Sequence, residues 1–148
     1  MNTALLCMSI RFTLDESYDV DRFVDEYMDE WRNLRNSKKL PIEYPIIDGT
    51  LSSIFIFCDL YNPESDRDSY EFDKDMLRKS IKAILINNHI IKGEYDFDGL
   101  PISVQETLLD YRDGIANDPK YDREKLNRLS IFPVEPLDDY CARLKSIE

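Results

Sequence analysis

Two apolar segments, residues 4–14 and 50–61, most constrain how this chain can fold, because each must be buried in a core. In the first segment apolar side chains occupy every second position, which is the spacing of a strand with one buried face. The second segment is apolar over most of its length, which is typical of a strand inside a sheet. Together the two segments predict a small β-sheet in the N-terminal half of the chain.

The rest of the chain shows mainly helical spacing, with apolar residues three and four positions apart. The predicted helices cover residues 20–35, 74–90, 103–116, 122–129 and 136–147. Asp73 is expected to cap the second of them, and Gly93 is expected to end it. Residues 40–48, which contain two prolines and an Asp-Gly pair, predict a turning connector. Residues 93–98 and residues 130–134 are two alternatives for a further short strand.

This order of elements predicts an α+β fold, in which a small N-terminal β-sheet packs with a helical C-terminal half. A length of 148 residues suits a single globular domain, residues 1–148, and 43% hydrophobic residues argue against disorder. No apolar run is long enough to cross a membrane, and the apolar start lacks the basic residues of a secretion signal. We therefore expect a cytoplasmic protein.

Three cysteines, Cys7, Cys58 and Cys141, bear on the same question of compartment. They are odd in number, widely separated and without a C-x-x-C pair, so we expect neither a zinc site nor a disulfide framework. Free, buried cysteines in a reducing cytoplasm are the simplest interpretation.

The charge of the chain excludes several classes of partner. There are 19 Lys and Arg residues against 30 Asp and Glu residues, which gives a net charge of −11. Nucleic acid and anionic membranes need a basic surface, so we expect the protein to bind neither directly. The charge is also uneven, since residues 15–30 carry −7, residues 59–75 carry −5 and residues 94–118 carry −6. An acidic face that aids solubility explains this pattern, and so does a surface matched to a basic protein.

The acidic windows also contain tyrosines, and acidic residues beside tyrosine suit an interface with an Arg- and Lys-rich surface. On the helix predicted at residues 20–35, like charges lie four positions apart, so the pattern is not the best one for stability. The candidate partner-binding residues are Asp25, Asp29, Asp66, Asp68, Tyr70, Glu94, Tyr95, Asp96 and Asp98. Any of the three windows could form the contact surface.

In size, in charge and in the segments Asp66–Tyr70 and Glu94–Asp98, the chain resembles bacterial immunity proteins that protect against secreted or contact-delivered toxins. The resemblance implies a non-catalytic acidic protein that neutralises a basic toxin, such as a nuclease, by covering its active or substrate-binding surface. It implies a cognate toxin as the partner, with no cofactor and no metal. Immunity families differ in fold, so no site residue is carried over from the resemblance.

Two other functions compete with this interpretation. A small hydrolase would hold a divalent metal with Asp66, Asp68, Asp96 and Asp98. An acidic mimic of DNA would occupy a nucleic-acid-binding protein and would discriminate little among basic partners. Residues 94–99 have the rhythm of a calcium-binding loop, but Gln105 stands where the bidentate glutamate is needed, so an Asp-Gly turn is favoured. His89, the single histidine, has no nucleophile motif beside it, and we do not expect an enzyme.

Overall fold

The computed structural model describes residues 3–36, 45–117 and 136–146. Within these ranges the chain forms six α-helices and no strand, and its β-type pairing there is a single bridge between Tyr61 and Phe72. The helices are α1 (Thr3–Leu14), α2 (Val20–Asn36), α3 (Pro45–Asp59), α4 (Lys74–Asn87), α5 (Ile102–Asn117) and α6 (Leu137–Ser146). The predicted α+β fold with an N-terminal sheet is therefore wrong, and the described fold is all-helical.

Helix α1 occupies the segment of the first predicted strand. Its buried side chains include Leu5, Ser9 and Phe12 along one line and Leu6 and Ile10 along another, which is helical spacing. The buried hydroxyl of Ser9 donates a hydrogen bond of 2.8 Å to the main-chain oxygen of Leu5, so its burial leaves no unpaired group. Helix α1 contacts α2, α3, α4 and α6, and most of its sides are therefore apolar. A sequence that is apolar on most sides of a helix has no periodicity that distinguishes it from a buried strand.

Helix α3 begins at Pro45, inside the predicted connector, and covers most of the strand predicted at residues 50–61. Proline is favourable at the first helical position, because the amide hydrogen that it lacks has no helical partner there. Buried apolar side chains recur three and four positions apart along the helix, at Ile47, Leu51, Ile54, Phe57 and Cys58. Residues 40–44 of the predicted connector lie outside the described residues.

Gly49 lies inside α3 rather than in a turn, and the packing of α5 explains why. A Cβ atom at this position would lie 2.9 Å from the hydroxyl oxygen of Tyr111. The same hydroxyl is 2.9 Å from Oγ of Ser53, about one helical turn further along α3. Glycine therefore allows a half-buried tyrosine of α5 to pack directly on the α3 backbone.

Four predicted helices are confirmed, with shifted ends, as α2, α4, α5 and α6. Asp73 caps α4 as predicted, since its carboxylate accepts a hydrogen bond of 2.8 Å from the main-chain nitrogen of Met76. The predicted end of this helix is wrong, because α4 stops at Asn87. His89 follows it with a left-handed backbone, at φ 61°, and so takes the place that we predicted for Gly93.

The remaining secondary-structure predictions concern short segments. Residues 93–98 form no strand. The helix predicted at residues 122–129 and the strand predicted at 130–134 lie outside the described residues.

Arg78 on α4 fixes the turn between α1 and α2. Its guanidinium donates hydrogen bonds to the main-chain oxygens of Phe12, at 2.5 Å, and of Tyr18, at 2.7 Å. It also lies 4.1 Å from the centre of the Phe12 ring, a favourable cation–π geometry. Phe12 stacks on Phe23 of α2 with ring centres 4.0 Å apart. One side chain of α4 thus holds both ends of this turn.

A buried polar network joins α3, α4, α5 and the segment between α4 and α5. The side-chain amide of Asn88, which is fully buried, donates a hydrogen bond of 2.7 Å to Oγ1 of Thr50. The side-chain oxygen of Asn87 accepts hydrogen bonds from the Tyr95 hydroxyl, at 2.9 Å, and from Nε of Arg112, at 2.7 Å. Because the buried side chains of Asn87 and Asn88 are satisfied by these partners, the network stabilises one arrangement of the segment.

Two of the three cysteines differ from their predicted state. Cys7 of α1 and Cys141 of α6 are joined by a disulfide bond, so the prediction that they are free is wrong. The two residues are 134 positions apart, which is why sequence spacing did not reveal the pair. Cys58 is free and buried, as predicted. Among the described residues, no helix combines the length and the apolar character that crossing a membrane requires.

Candidate functional site

The loop between α3 and α4, residues 60–73, is held at both ends by main-chain hydrogen bonds. The amide of Phe72 donates to the oxygen of Leu60 at 2.8 Å, and the amide of Asn62 donates to the oxygen of Phe72 at 2.9 Å. The Phe72 ring is buried and packs against Phe57, with ring centres 5.8 Å apart. This anchor leaves residues 63–70 exposed while their base is fixed to the core.

Side chains within the loop keep its exposed part ordered. A carboxylate oxygen of Glu71 accepts a hydrogen bond of 2.8 Å from the amide of Asp68. The Arg67 guanidinium donates to the main-chain oxygen of Glu64 at 2.8 Å and lies 3.8 Å from the Asp73 carboxylate. The nearby Asp68 carboxylate raises the pKa of Tyr70 above its ordinary value. The loop therefore presents Asp68 and Tyr70 from a defined backbone.

A groove of about 700 Å³ lies between this loop and the start of α5. The charged side chains that line it are Arg67, Asp68, Glu71 and Asp73, so carboxylates outnumber cations three to one. Tyr70 and Ile102 line it from opposite walls and are 64% and 72% exposed, so a large aromatic and a large aliphatic side chain are available to a partner. We call this feature the acidic groove.

The acidic groove contains two of the predicted binding residues, Asp68 and Tyr70. Asp66 lies on the same loop but does not line the groove. Its carboxylate is exposed and makes no ion pair or hydrogen bond with the described residues. The acidic window at residues 59–75 thus contributes one wall of the groove and an unpaired charge beside it.

The second predicted group, residues 94–98, comes just before the other wall of the acidic groove and does not line it. Tyr95 is half-buried, and its hydroxyl is bonded to Asn87 and Arg112, so this predicted contact residue belongs to the internal polar network. Asp96 folds back over Gly99, where a Cβ would lie 2.6 Å from its Oδ2 atom. The carboxylates of Glu94 and Asp98 are exposed and unpaired among the described residues.

The third predicted group lies on α2, away from the acidic groove lining. Asp25 lines a second groove, of about 470 Å³, whose other carboxylates are Asp21 and Asp59. Asp21 accepts a hydrogen bond of 2.5 Å from the Tyr61 hydroxyl, and burial together with this bond raises the pKa of Tyr61. Asp29 does not line this groove and pairs with Arg32 at 3.6 Å.

Sequence reasoning missed the wall of the acidic groove that α5 supplies. Its side chains include Leu100, Pro101 and Ile102. The signal for this wall was Ile102, which follows Pro101 at the start of α5 and is exposed in the structure. The four carboxylates proposed as metal ligands are not gathered, since no group of three or more His, Cys, Asp and Glu residues in the described ranges could hold a metal ion.

Aromatic side chains are enriched at protein-binding surfaces, and the acidic groove exposes Tyr70 together with Ile102. Residues 5–88 match a family described as bacterial self-protective colicin-like immunity. The match spans more than half of the 148 residues, so the chain belongs to this family. No curated protein and no solved structure matches the chain.

Family membership confirms the resemblance to toxin-immunity proteins. It implies a protein that binds a toxin and neutralises it, as a non-catalytic inhibitor. The matched region contains most of α1, all of α2, α3 and α4, and the loop wall of the acidic groove, and it ends before the α5 wall.

Proposed function

We propose that this protein neutralises a basic, colicin-like toxin by seating the acidic groove on the active or substrate-binding surface of that toxin. The observation that carries the proposal is the groove itself, in which exposed Tyr70 and a set of carboxylates lie on one loop and exposed Ile102 lies on the opposite wall. Exposed aromatic side chains at the centre of an interface are common anchors of binding energy. The remaining contacts then exclude water around the anchors.

The charge of the groove indicates the chemistry of the toxin. A nuclease needs a basic surface to hold the phosphates of its substrate, and such a surface is complementary to Asp68, Glu71 and Asp73. The net charge of −11 adds a long-range attraction for the same surface. A nuclease toxin therefore fits the groove better than a toxin with an acidic or neutral active site.

The acidic residues outside the groove have a different part in this proposal. Asp25 on α2, Asp66 in the loop and Asp98 before α5 carry exposed carboxylates without partners among the described residues. Because they are not neutralised within the chain, they steer a basic partner toward the protein and raise the association rate. We place this encounter in the cytoplasm, where a nuclease delivered by secretion or by cell contact meets its substrate.

The proposal is tested by co-expressing the chain with the toxin encoded beside its gene. We expect the two proteins to co-purify and the growth of toxin-producing cells to be restored. Absence of both co-purification and rescue with any toxin encoded there contradicts the proposal. Equal binding to many unrelated basic proteins would instead favour an acidic mimic of nucleic acid, because an immunity protein discriminates between related toxins.

Variants of the groove separate its anchors from its charges. Replacing Tyr70 with Ala removes an anchor and should speed dissociation, weakening binding by about 2 kcal/mol, which is roughly 30-fold.

The double variant Asp66→Asn and Asp68→Asn should slow association and reduce its dependence on salt. The matched control, Glu106→Gln with Asp110→Asn, makes the same change of net charge outside the groove and should slow association less. If the two double variants associate with the toxin at the same rate, the loop is not part of the contact surface.

The same measurement applies to the acidic window at residues 94–118. We expect Asp96→Asn with Asp98→Asn to slow association by a smaller amount, because these residues adjoin the groove without lining it. An effect larger than that of the Asp66 and Asp68 pair would move the proposed interface to the segment before α5.

A further inference from the structure

Helix α6 is attached to α1 by the disulfide bond between Cys7 and Cys141 and by an ion pair between Arg11 and Asp138, at 2.9 Å. The side chain of Tyr140, also on α6, is fully buried and belongs to the hydrophobic core. Helix α6 lies beyond residues 5–88, so family membership does not account for this attachment.

The two bonded cysteines differ from the third in their surroundings. Cys7 is half-buried and lines an open groove of about 440 Å³ together with Arg11, Arg22 and Asp15. A small thiol or disulfide can therefore reach Cys7 from the solvent side of this groove. Cys58 is buried in the core, where burial raises its pKa far above the ordinary value of 9.0. Such a thiol is inert toward oxidants.

We propose that Cys7 and Cys141 form a reversible thiol-oxidation site, at which a small disulfide such as glutathione disulfide fastens α6 to α1. The Cys7 thiolate attacks one sulfur of glutathione disulfide, which breaks its S–S bond and releases one glutathione thiolate. The Cys141 thiolate then attacks the Cys7 sulfur of the mixed disulfide and releases the second glutathione. In total the two cysteines lose two protons and two electrons, and glutathione disulfide is reduced to two glutathione molecules.

Oxidation at this site changes how firmly α6 is held. In the dithiol form α6 depends on the burial of Tyr140 and on the Arg11–Asp138 ion pair. The two charged side chains are 46% and 85% exposed, and ion pairs so exposed contribute little. The disulfide closes a loop between residues 134 positions apart, and a long closed loop restricts the unfolded chain most. The oxidised chain is therefore the more stable one, whether or not a toxin is bound.

The experiment compares the full chain equilibrated with glutathione disulfide and with reduced glutathione. Mass spectrometry of the oxidised chain should show one cross-linked peptide pair, joining Cys7 to Cys141 and lighter by two hydrogen atoms. The oxidised chain should melt about 10 °C above the reduced chain. Absence of this cross-link, or the same melting temperature for both forms, overturns the proposal.

Cysteine variants show which thiols are responsible. Cys7→Ser and Cys141→Ser should each melt at one temperature under both conditions, whereas the control Cys58→Ala should keep the difference. Alkylation of the reduced, folded wild-type chain with iodoacetamide gives an answer even if a variant does not fold. Cys7 should react well before Cys58, and faster reaction of Cys58 would overturn the assignment.

Discussion

The hydroxyl of Tyr27 donates a hydrogen bond of 2.7 Å to the main-chain oxygen of Leu51, and this bond links α2 to α3 inside the core. Tyr27 is fully buried, so no water replaces the bond when it is lost. We expect Tyr27→Phe to lower the free energy of unfolding by about 1 kcal/mol. Urea denaturation measures this loss. The control Tyr70→Phe changes an exposed tyrosine and should leave stability within about 0.5 kcal/mol, and an equal loss in both would contradict the role of the Tyr27 bond.

Thr50 is the acceptor on which the buried amide of Asn88 depends, at 2.7 Å. Thr50→Val keeps the side-chain shape but leaves that amide without its partner, so we expect a loss of about 2 kcal/mol in thermal or urea unfolding. Thr107→Val is the matched control, because the Thr107 hydroxyl bonds only the main-chain oxygen of Ser103 at the surface of α5. If Thr107→Val lowers the free energy of unfolding as much as Thr50→Val does, the hydrogen bond from Asn88 to Thr50 makes no special contribution to stability.

Two helical glycines should respond to alanine in opposite directions. At Gly49 the added methyl group would meet the Tyr111 hydroxyl at 2.9 Å, so we expect Gly49→Ala to lower stability by about 1 kcal/mol. At Gly114 nothing lies within 4 Å of the new Cβ, so Gly114→Ala should raise stability by roughly 0.5–1 kcal/mol through better helix propensity. Urea denaturation of both variants measures the difference. A Gly49→Ala variant as stable as Gly114→Ala would contradict the close packing of α5 on α3.

Alkaline pH should destabilise the fold through groups that it keeps neutral. Burial raises the pKa of Cys58 above 9.0, the pKa of Tyr27 well above 10.0 and the pKa of Tyr18 to about 12. The unfolded chain ionises these groups at their ordinary values, whereas the folded chain does not. Their contribution is therefore complete below pH 9.0 and declines as the pH rises from 9.0 toward 12.

Urea denaturation of the reduced chain at several pH values in this range measures the decline. Tyr27→Phe provides the control, because it removes one of the groups and should make the decline shallower above pH 10.0. A free energy of unfolding that stays constant up to pH 11 would show that these groups ionise as easily in the folded chain.

The sequence predicted those helices whose apolar residues lie on one face. Apolar residues recur at helical spacing along α2 and α4, and the predicted cap at Asp73 is confirmed. The secondary structure predicted for α1 and α3 was wrong, because neighbouring helices cover most sides of these two helices. Apolar residues therefore occupy odd and even positions alike, and their spacing does not identify a helix. Leu14 illustrates the error: a strand over residues 4–14 would put it on the same buried face as Ile10 and Phe12, whereas its side chain is 45% exposed.

The candidate site was predictable only in its local part. Asp68 and Tyr70 are close in sequence and do line the acidic groove. The opposite wall, around Ile102, is set by how α5 packs, and spacing along the chain carries no record of that packing. Tyr95 had the same acidic neighbours as Tyr70, but its hydroxyl is used by Asn87 and Arg112. The composition therefore predicted an acidic surface with an exposed tyrosine, and tertiary contacts determine that this tyrosine is Tyr70 and not Tyr95.

The hydrogen bonds from Arg78 to both ends of the α1–α2 turn have a consequence for local unfolding. A turn that was fixed only by its own bonds would open while the rest of the protein stayed folded. Here the turn cannot open unless Phe12 and Tyr18 also separate from α4, and α4 carries part of the core. We therefore expect its amide hydrogens to exchange with solvent only as fast as those of α4, so that α1, α2 and α4 form a single cooperative folding unit.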